Sequence, residues 1–213
     1  MKKALLASIL LSGVVFGATF EDGMTAYKAK DYKKAATVFE ELCAKNKDAT
    51  SCYNIGYLYE NGTGVTKNLT KAFNFFQQAC DAGNGGGCNG VAYAYENGLG
   101  AQKNEKKGLE YYEKGCGLND AYSCYHAGAK YKNGKVVPKN DVKAHSMFEK
   151  SCGLNNANAC YYYGLNLVNG IPGTNERKAN VGFYYLDRAC ILGSEAGCAT
   201  SREAMKNEIE SYK

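Results

Sequence analysis

Residues 52–88 read CYNIGYLYENGTGVTKNLTKAFNFFQQACDAGNGGGC, and the chain then repeats this pattern three more times. Cys88–Cys116 is CNGVAYAYENGLGAQKNEKKGLEYYEKGC, Cys124–Cys152 is CYHAGAKYKNGKVVPKNDVKAHSMFEKSC, and Cys160–Cys190 is CYYYGLNLVNGIPGTNERKANVGFYYLDRAC. The copies start 36 residues apart, and the fourth carries two extra residues. A fixed period of this size marks a chain built by stacking one small unit on the next, each completing its neighbour's core. The expectation is an all-α solenoid with repeats at 49–84, 85–120, 121–156 and 157–194. The period speaks for a binding scaffold without naming what is bound.

The ten cysteines fall into five close pairs: Cys43 with Cys52, Cys80 with Cys88, Cys116 with Cys124, Cys152 with Cys160, and Cys190 with Cys198. Seven residues separate the partners in four pairs and eight in the first. On one continuous helix such partners would stand ~12 Å apart along the axis. Bridged Cα atoms lie within ~7 Å, so the chain must reverse between them. The intervening stretches DAGNGGG, GLNDAYS, GLNNANA and ILGSEAG carry the Gly, Asn and Asp that end helices and make turns. Each bridge is therefore expected to staple the end of one helix to the start of the next. Zinc, the competing use of paired cysteines, wants ligands about two to four residues apart, a spacing absent here.

Two helices are legible in each copy. In the first, apolar or small residues recur at 0, +3, +4 and +7 from the cysteine: Cys52, Ile55, Gly56 and Tyr59; Cys88, Val91, Ala92 and Tyr95; Cys124, Ala127, Gly128 and Tyr131; Cys160, Tyr163, Gly164 and Leu167. That is one stripe of a helix. The small residue at +4 points to a close backbone crossing. Asn-Gly at 61–62, 97–98, 133–134 and 169–170 then stops the helix. The second helix pairs a small residue with a large one four later: Ala72 with Phe76, Gly108 with Tyr112, Ala144 with Phe148 and Gly182 with Leu186. Ala35 and Phe39 repeat the pair upstream, which makes 19–48 an N-terminal capping hairpin. The polar segment 195–213 reads as a C-terminal capping helix, since end repeats need a wettable outer face.

Met1-Lys2-Lys3, an apolar run from Ala4 to Phe16 and small Gly17 and Ala18 have the layout of a secretory leader over 1–18. The run is shorter than the roughly 20 apolar residues of a spanning helix. Export to the periplasm or beyond is expected, with no membrane span. The chain carries 26 basic and 21 acidic residues, and without Lys2 and Lys3 the net charge drops to +3. That is too weak a balance for a nucleic-acid partner, which wants a concentrated basic face.

The string G-x-L-Y-x-N-G-x-G-V-x-K-N followed by K-A, at Gly56–Ala72, resembles the Sel-one-like repeat, a relative of the tetratricopeptide repeat. With a cysteine pair in every copy, the chain resembles the secreted cysteine-rich Sel-one-like family described from Helicobacter. The resemblance implies a right-handed superhelix of disulfide-linked α/α hairpins. It also implies penicillin binding or slow β-lactam hydrolysis, and a role in holding cell-wall fragments or host proteins. The third copy departs from the loop pattern at Lys135-Val136-Val137-Pro138, and the fourth at Pro172-Gly173.

The residues themselves do not supply that hydrolytic chemistry. Serine β-lactamases and penicillin-binding proteins use Ser-x-x-Lys and Lys-Thr-Gly, and neither string occurs. With only His126 and His145, the chain is too poor in histidine for a zinc hydrolase. Catalytic residues stay unassigned, and no metal or cofactor is expected. Gly62-Thr63-Gly64 and Gly98-Leu99-Gly100 follow helices where a phosphate loop would follow a strand, so they are turns.

The functional signal is 18 tyrosines with no tryptophan. By analogy with tetratricopeptide repeats, positions +1, +5 and +8 from the cysteine line a concave face. They are Tyr53, Tyr57 and Glu60; Asn89, Tyr93 and Glu96; Tyr125, Ala129 and Lys132; Tyr161, Leu165 and Val168. Asn54, His126 and Tyr162 at +2 flank them. Tyrosine offers area, rigidity and a polar tip, which suits recognition of a peptide, cell-wall fragment or protein by a monomeric scaffold. The competing use of these rings is to fill gaps between helices.

Overall fold

The computed structural model describes residues 17–211, which form eleven helices and no strand. The leader at 1–18 lies, except for Gly17 and Ala18, outside the described residues. The helices pair in order: α1 (Phe20–Lys28) with α2 (Tyr32–Asn46), α3 (Ala49–Asn61) with α4 (Leu69–Asp81), α5 (Gly85–Asn97) with α6 (Glu105–Gly117), α7 (Ala121–Asn133) with α8 (Asp141–Gly153), and α9 (Ala157–Asn169) with α10 (Ala179–Ile191). A last helix, α11 (Glu195–Ser211), packs on α10 and α9.

The boundaries follow from caps placed in register. Asp48, Asn84, Asp120 and Asn156 open α3, α5, α7 and α9, their side chains accepting from the backbone N–H three residues on. Asn68, Asn104 and Asn140 do the same for α4, α6 and α8, whereas Lys178 before α10 makes no such bond. Gly62, Gly98 and Gly134 end α3, α5 and α7 in the left-handed conformation. The Gly-x-Gly turns have a second purpose. Gly64 and Gly100 also have positive φ, and a Cβ there would come within 2.6 Å of Tyr32 at the start of α2 and within 2.1 Å of the Leu69 carbonyl at the start of α4. Only glycine lets each loop settle on the preceding hairpin.

The core runs along the stack as three clusters of rings and small residues. Phe39, Phe76, Tyr112, Phe148 and Leu186, at equivalent places in the second helices, are all buried. They press on the small +4 residues: a side chain on Gly56 or Gly128 would strike Phe76 or Phe148, and Gly164 faces the Gly182 carbonyl across the α9–α10 crossing.

All ten cysteines are bridged in sequence order, with Cα atoms 4.3–4.8 Å apart. Cys43 joins Cys52 between α2 and α3, and Cys80 joins Cys88 between α4 and α5. Cys116 joins Cys124 between α6 and α7, and Cys152 joins Cys160 between α8 and α9. The fifth bridge joins Cys190 of α10 to Cys198 of α11. Each therefore ties a helix end to the next helix start, as the cysteine spacing requires. The first four bridges are buried between hairpins, whereas Cys190 and Cys198 are only half-buried.

Polar contacts tie hairpin to hairpin along one edge. The Lys143 ammonium sits 4.2 Å from the Tyr131 ring centre, and the Tyr131 hydroxyl donates to Glu113 at 2.7 Å. Tyr59 repeats this with Lys71 over its ring at 4.8 Å and Glu40 at its hydroxyl. Among the described residues no helix is long and apolar enough to cross a membrane.

Candidate functional site

The first helices stand side by side, α3 against α5 and α5 against α7. Residues one, five and eight after each cysteine therefore share a face. At its N-terminal half that face is open. Tyr53, Tyr57 and Glu60 of α3 look across a cavity of about 210 Å³ at Asn89 and Tyr93 of α5. Phe76 lies at its floor, Gly86 and Gly90 leave its α5 wall bare, and Asp120 and Tyr122 at the start of α7 close its far rim. On the other side of Tyr53 and Tyr57 lies a second cavity of about 240 Å³, lined by Met24, Tyr27, Phe39, Asn54 and Leu58. Tyr57, Tyr93 and Tyr122 are 44%, 46% and 64% exposed, high values for such large rings. Tyr53 is half-buried. Burial pushes its phenol up, and the nearby Asp120 and Glu60 charges push the same way.

One position decides whether the face is open or filled. Two residues after the cysteine, the second copy has Gly90, whose backbone lies so close to the buried Phe76 ring that a Cβ there would come within 2.7 Å of it. The third copy has His126, which stacks on Tyr112 at 4.9 Å, and the fourth has Tyr162, which stacks on Phe148 at 5.0 Å. Phe76, Tyr112 and Phe148 are the same position one period apart, so the stacked ring that the third and fourth copies carry at 126 and 162 is missing at 90, where the Phe76 ring instead lies against the glycine. Tyr125 and Tyr161 then set their edges against His126 and Tyr162, each at 5.3 Å, and the Lys132 ammonium lies 5.2 Å from the Tyr162 ring centre. The row of candidate residues thus divides. Tyr53, Asn54, Tyr57, Glu60, Asn89 and Tyr93 border cavities. Tyr125, His126, Tyr161 and Tyr162 pack chiefly on one another, and Lys132 lies over Tyr162 while also bordering a cavity of about 430 Å³ with Asn166 and Pro172.

The +8 residues divide in the same way. Glu96 forms an ion pair with Lys130 and accepts from the Tyr112 hydroxyl at 2.9 Å. Burial works against its charge, but these two partners together hold its carboxyl below the usual range. Glu60 has no hydrogen-bond or ion-pair partner among the described residues. Burial pushes its carboxyl up, and the more distant Lys67 charge offsets only part of that. Burial likewise holds both imidazoles down, His126 on its ring stack and His145 beside Asn166 and Tyr163. Among the described residues no group of three or more His, Cys, Asp or Glu could hold a metal ion.

Counting from the cysteine forward misses Asp120 and Tyr122, which precede Cys124 and reach the cavity only because α7 begins beside it. Tyr122 sits where the second copy has Gly86, so aligning the residues before each cysteine would have marked it.

The family model for the Sel1 repeat matches residues 49–84, 86–120, 121–156 and 157–194. A crystal structure of a Sel1 repeat protein from Oxalobacter formigenes superposes with a TM-score of 0.76 at 23% identity, covering 87% of this chain and 75% of that one. A protective antigen of uropathogenic Escherichia coli, displaying an SLR fold, gives 0.72 at 23% identity over 82% of this chain and 38% of its own. Both likenesses are of fold. HcpC of Helicobacter pylori, provisionally named a beta-lactamase, is 34% identical over 80 residues, a match covering 33% of this chain and only 27% of HcpC. With the repeat model spanning well over half of the sequence and a bridged cysteine pair at every junction, the chain belongs to the Sel1 repeat family, in its cysteine-rich form.

Proposed function

We propose that this chain is an exported scaffold that holds a peptide, a cell-wall fragment or a partner protein along the concave face of its solenoid, in the N-terminal half. Sel1 repeats form an interaction architecture, and the observation that carries the assignment is the open cavity between α3 and α5, with the Tyr57, Tyr93 and Tyr122 rings exposed around it. Half-wet rings around an open cavity contribute little to stability but suit contact with a guest. Export is supported by the basic-then-apolar start and by five bridges, which persist in oxidising compartments. Residues 19–48 and 195–213 serve as the caps.

The test is capture from the native compartment on immobilised protein, compared with a Tyr57→Ala/Tyr93→Ala variant whose helical circular dichroism is unchanged. The groove predicts that the captured species is lost. Undiminished capture would place binding elsewhere.

The likeness to HcpC favours a second activity, β-lactam hydrolysis. Incubation with a chromogenic cephalosporin decides it, and turnover no faster than with heat-inactivated protein removes it.

A further inference from the structure

Resting on the groove assignment above and narrowing it, we propose that the cavity between α3 and α5 seats one cationic side chain, a lysine or arginine presented by an extended peptide. The repeat register supplies the reason. In the second copy the carboxylate at +8, Glu96, is answered from within by the Tyr112 hydroxyl and the Lys130 ammonium. One period earlier the same carboxylate is Glu60, and the residues standing where Tyr112 and Lys130 stand are Phe76 and Ala94. Neither has a polar group to offer. Glu60 is left half-buried and without a partner among the described residues, at the edge of a cavity of the size of a side chain.

The other groups around the cavity point to the same guest. Asp120 adds a second carboxylate, of which Oδ1 accepts from the Ser123 N–H at 2.7 Å. Tyr53, Tyr57, Tyr93 and Tyr122 supply ring faces, which attract cations. No lysine or arginine lines the cavity, although the chain as a whole carries a net +5. The protein makes the same kind of contact internally further along the groove, where Lys132 lies over Tyr162. A neutral or acidic side chain would leave Glu60 unanswered or oppose it.

The experiment titrates pentapeptides Ala-Ala-X-Ala-Ala, with X lysine, arginine, norleucine or glutamate, into the oxidised protein and follows the tyrosine ring resonances. Lysine and arginine peptides should shift Tyr53, Tyr57, Tyr93 and Tyr122, and norleucine and glutamate should bind at least about tenfold more weakly. Glu60→Gln, close to isosteric and with no hydrogen-bond or ion-pair partner among the described residues to lose, should weaken the lysine peptide by about tenfold. The charge assignment is overturned if norleucine binds as well as lysine, if Glu60→Gln changes nothing, or if the lysine peptide moves none of these rings. Charge-blind binding that still moves Tyr57 and Tyr93 leaves the groove in place. Capture that survives the double alanine variant removes the groove itself.

Discussion

Glu60 and Glu96 are the same residue at the same place in consecutive copies, yet their surroundings assign them opposite roles. Glu96→Gln breaks the pair with Lys130 and weakens the bond from the buried Tyr112 hydroxyl. It should cost about 1–3 kcal/mol, the usual range when a buried charge-assisted partner is removed. Glu60→Gln removes a charge that burial disfavours and should leave stability unchanged or slightly higher. Urea melts of the two variants compare them directly, and equal destabilisation would mean that the two carboxylates share one role. The histidines make a second prediction at this scale. Burial depresses both His126 and His145, so as pH falls the unfolded chain takes up protons before the folded one does. Stability should therefore decline as pH drops through the ordinary histidine range near 6.5, above the carboxylate range. A His126→Asn/His145→Phe variant, copying the residues of the first repeat at those positions, should flatten the melting temperature across that window.

At the level of the element, the glycines separate by what surrounds them. Gly100 has positive φ, and a Cβ there would lie 2.1 Å from the Leu69 carbonyl, so Gly100→Ala must push the loop off α4 and should cost more than about 1 kcal/mol. Gly117 lies in α6 with helical backbone and open space around its Cα, and Gly117→Ala should stabilise by roughly 0.5–1 kcal/mol. Thermal melts that shift in opposite directions are the expected result. Both glycines look alike in the sequence. Their difference lies in the neighbouring hairpin, which local propensity does not describe.

The molecule as a whole is a thin stack in which each hairpin touches chiefly its neighbours, so its stability is close to a sum of junctions. Each junction is closed by one bridge around a short loop, for which the chain-entropy model gives about 2.5 kcal/mol. A Cys116→Ser/Cys124→Ser variant should lose about that much, and its melting temperature should fall by roughly 5–10 °C. Peptide mapping without reductant should return five links between consecutive cysteines, ending with Cys190 to Cys198. Any link that skips a junction would contradict the stack.

The 36-residue period, the +3/+4 stripe and the cysteine spacing were enough to read helix hairpins stapled end to start, because they report local reversal and one buried face, both written along the chain. The tyrosines on the first helices could be named but not sorted. Tyr57 and Tyr93 face open space while Tyr125 and Tyr161 lean on other rings, and the difference comes from Gly90, His126 and Tyr162 set against Phe76, Tyr112 and Phe148 on the helix behind. Cavities exist between elements, and whether a volume is filled depends on which side chains from distant parts of the chain converge on it. Tertiary packing alone therefore decided which half of the face stays open, and left Glu60 at its edge without a partner among the described residues.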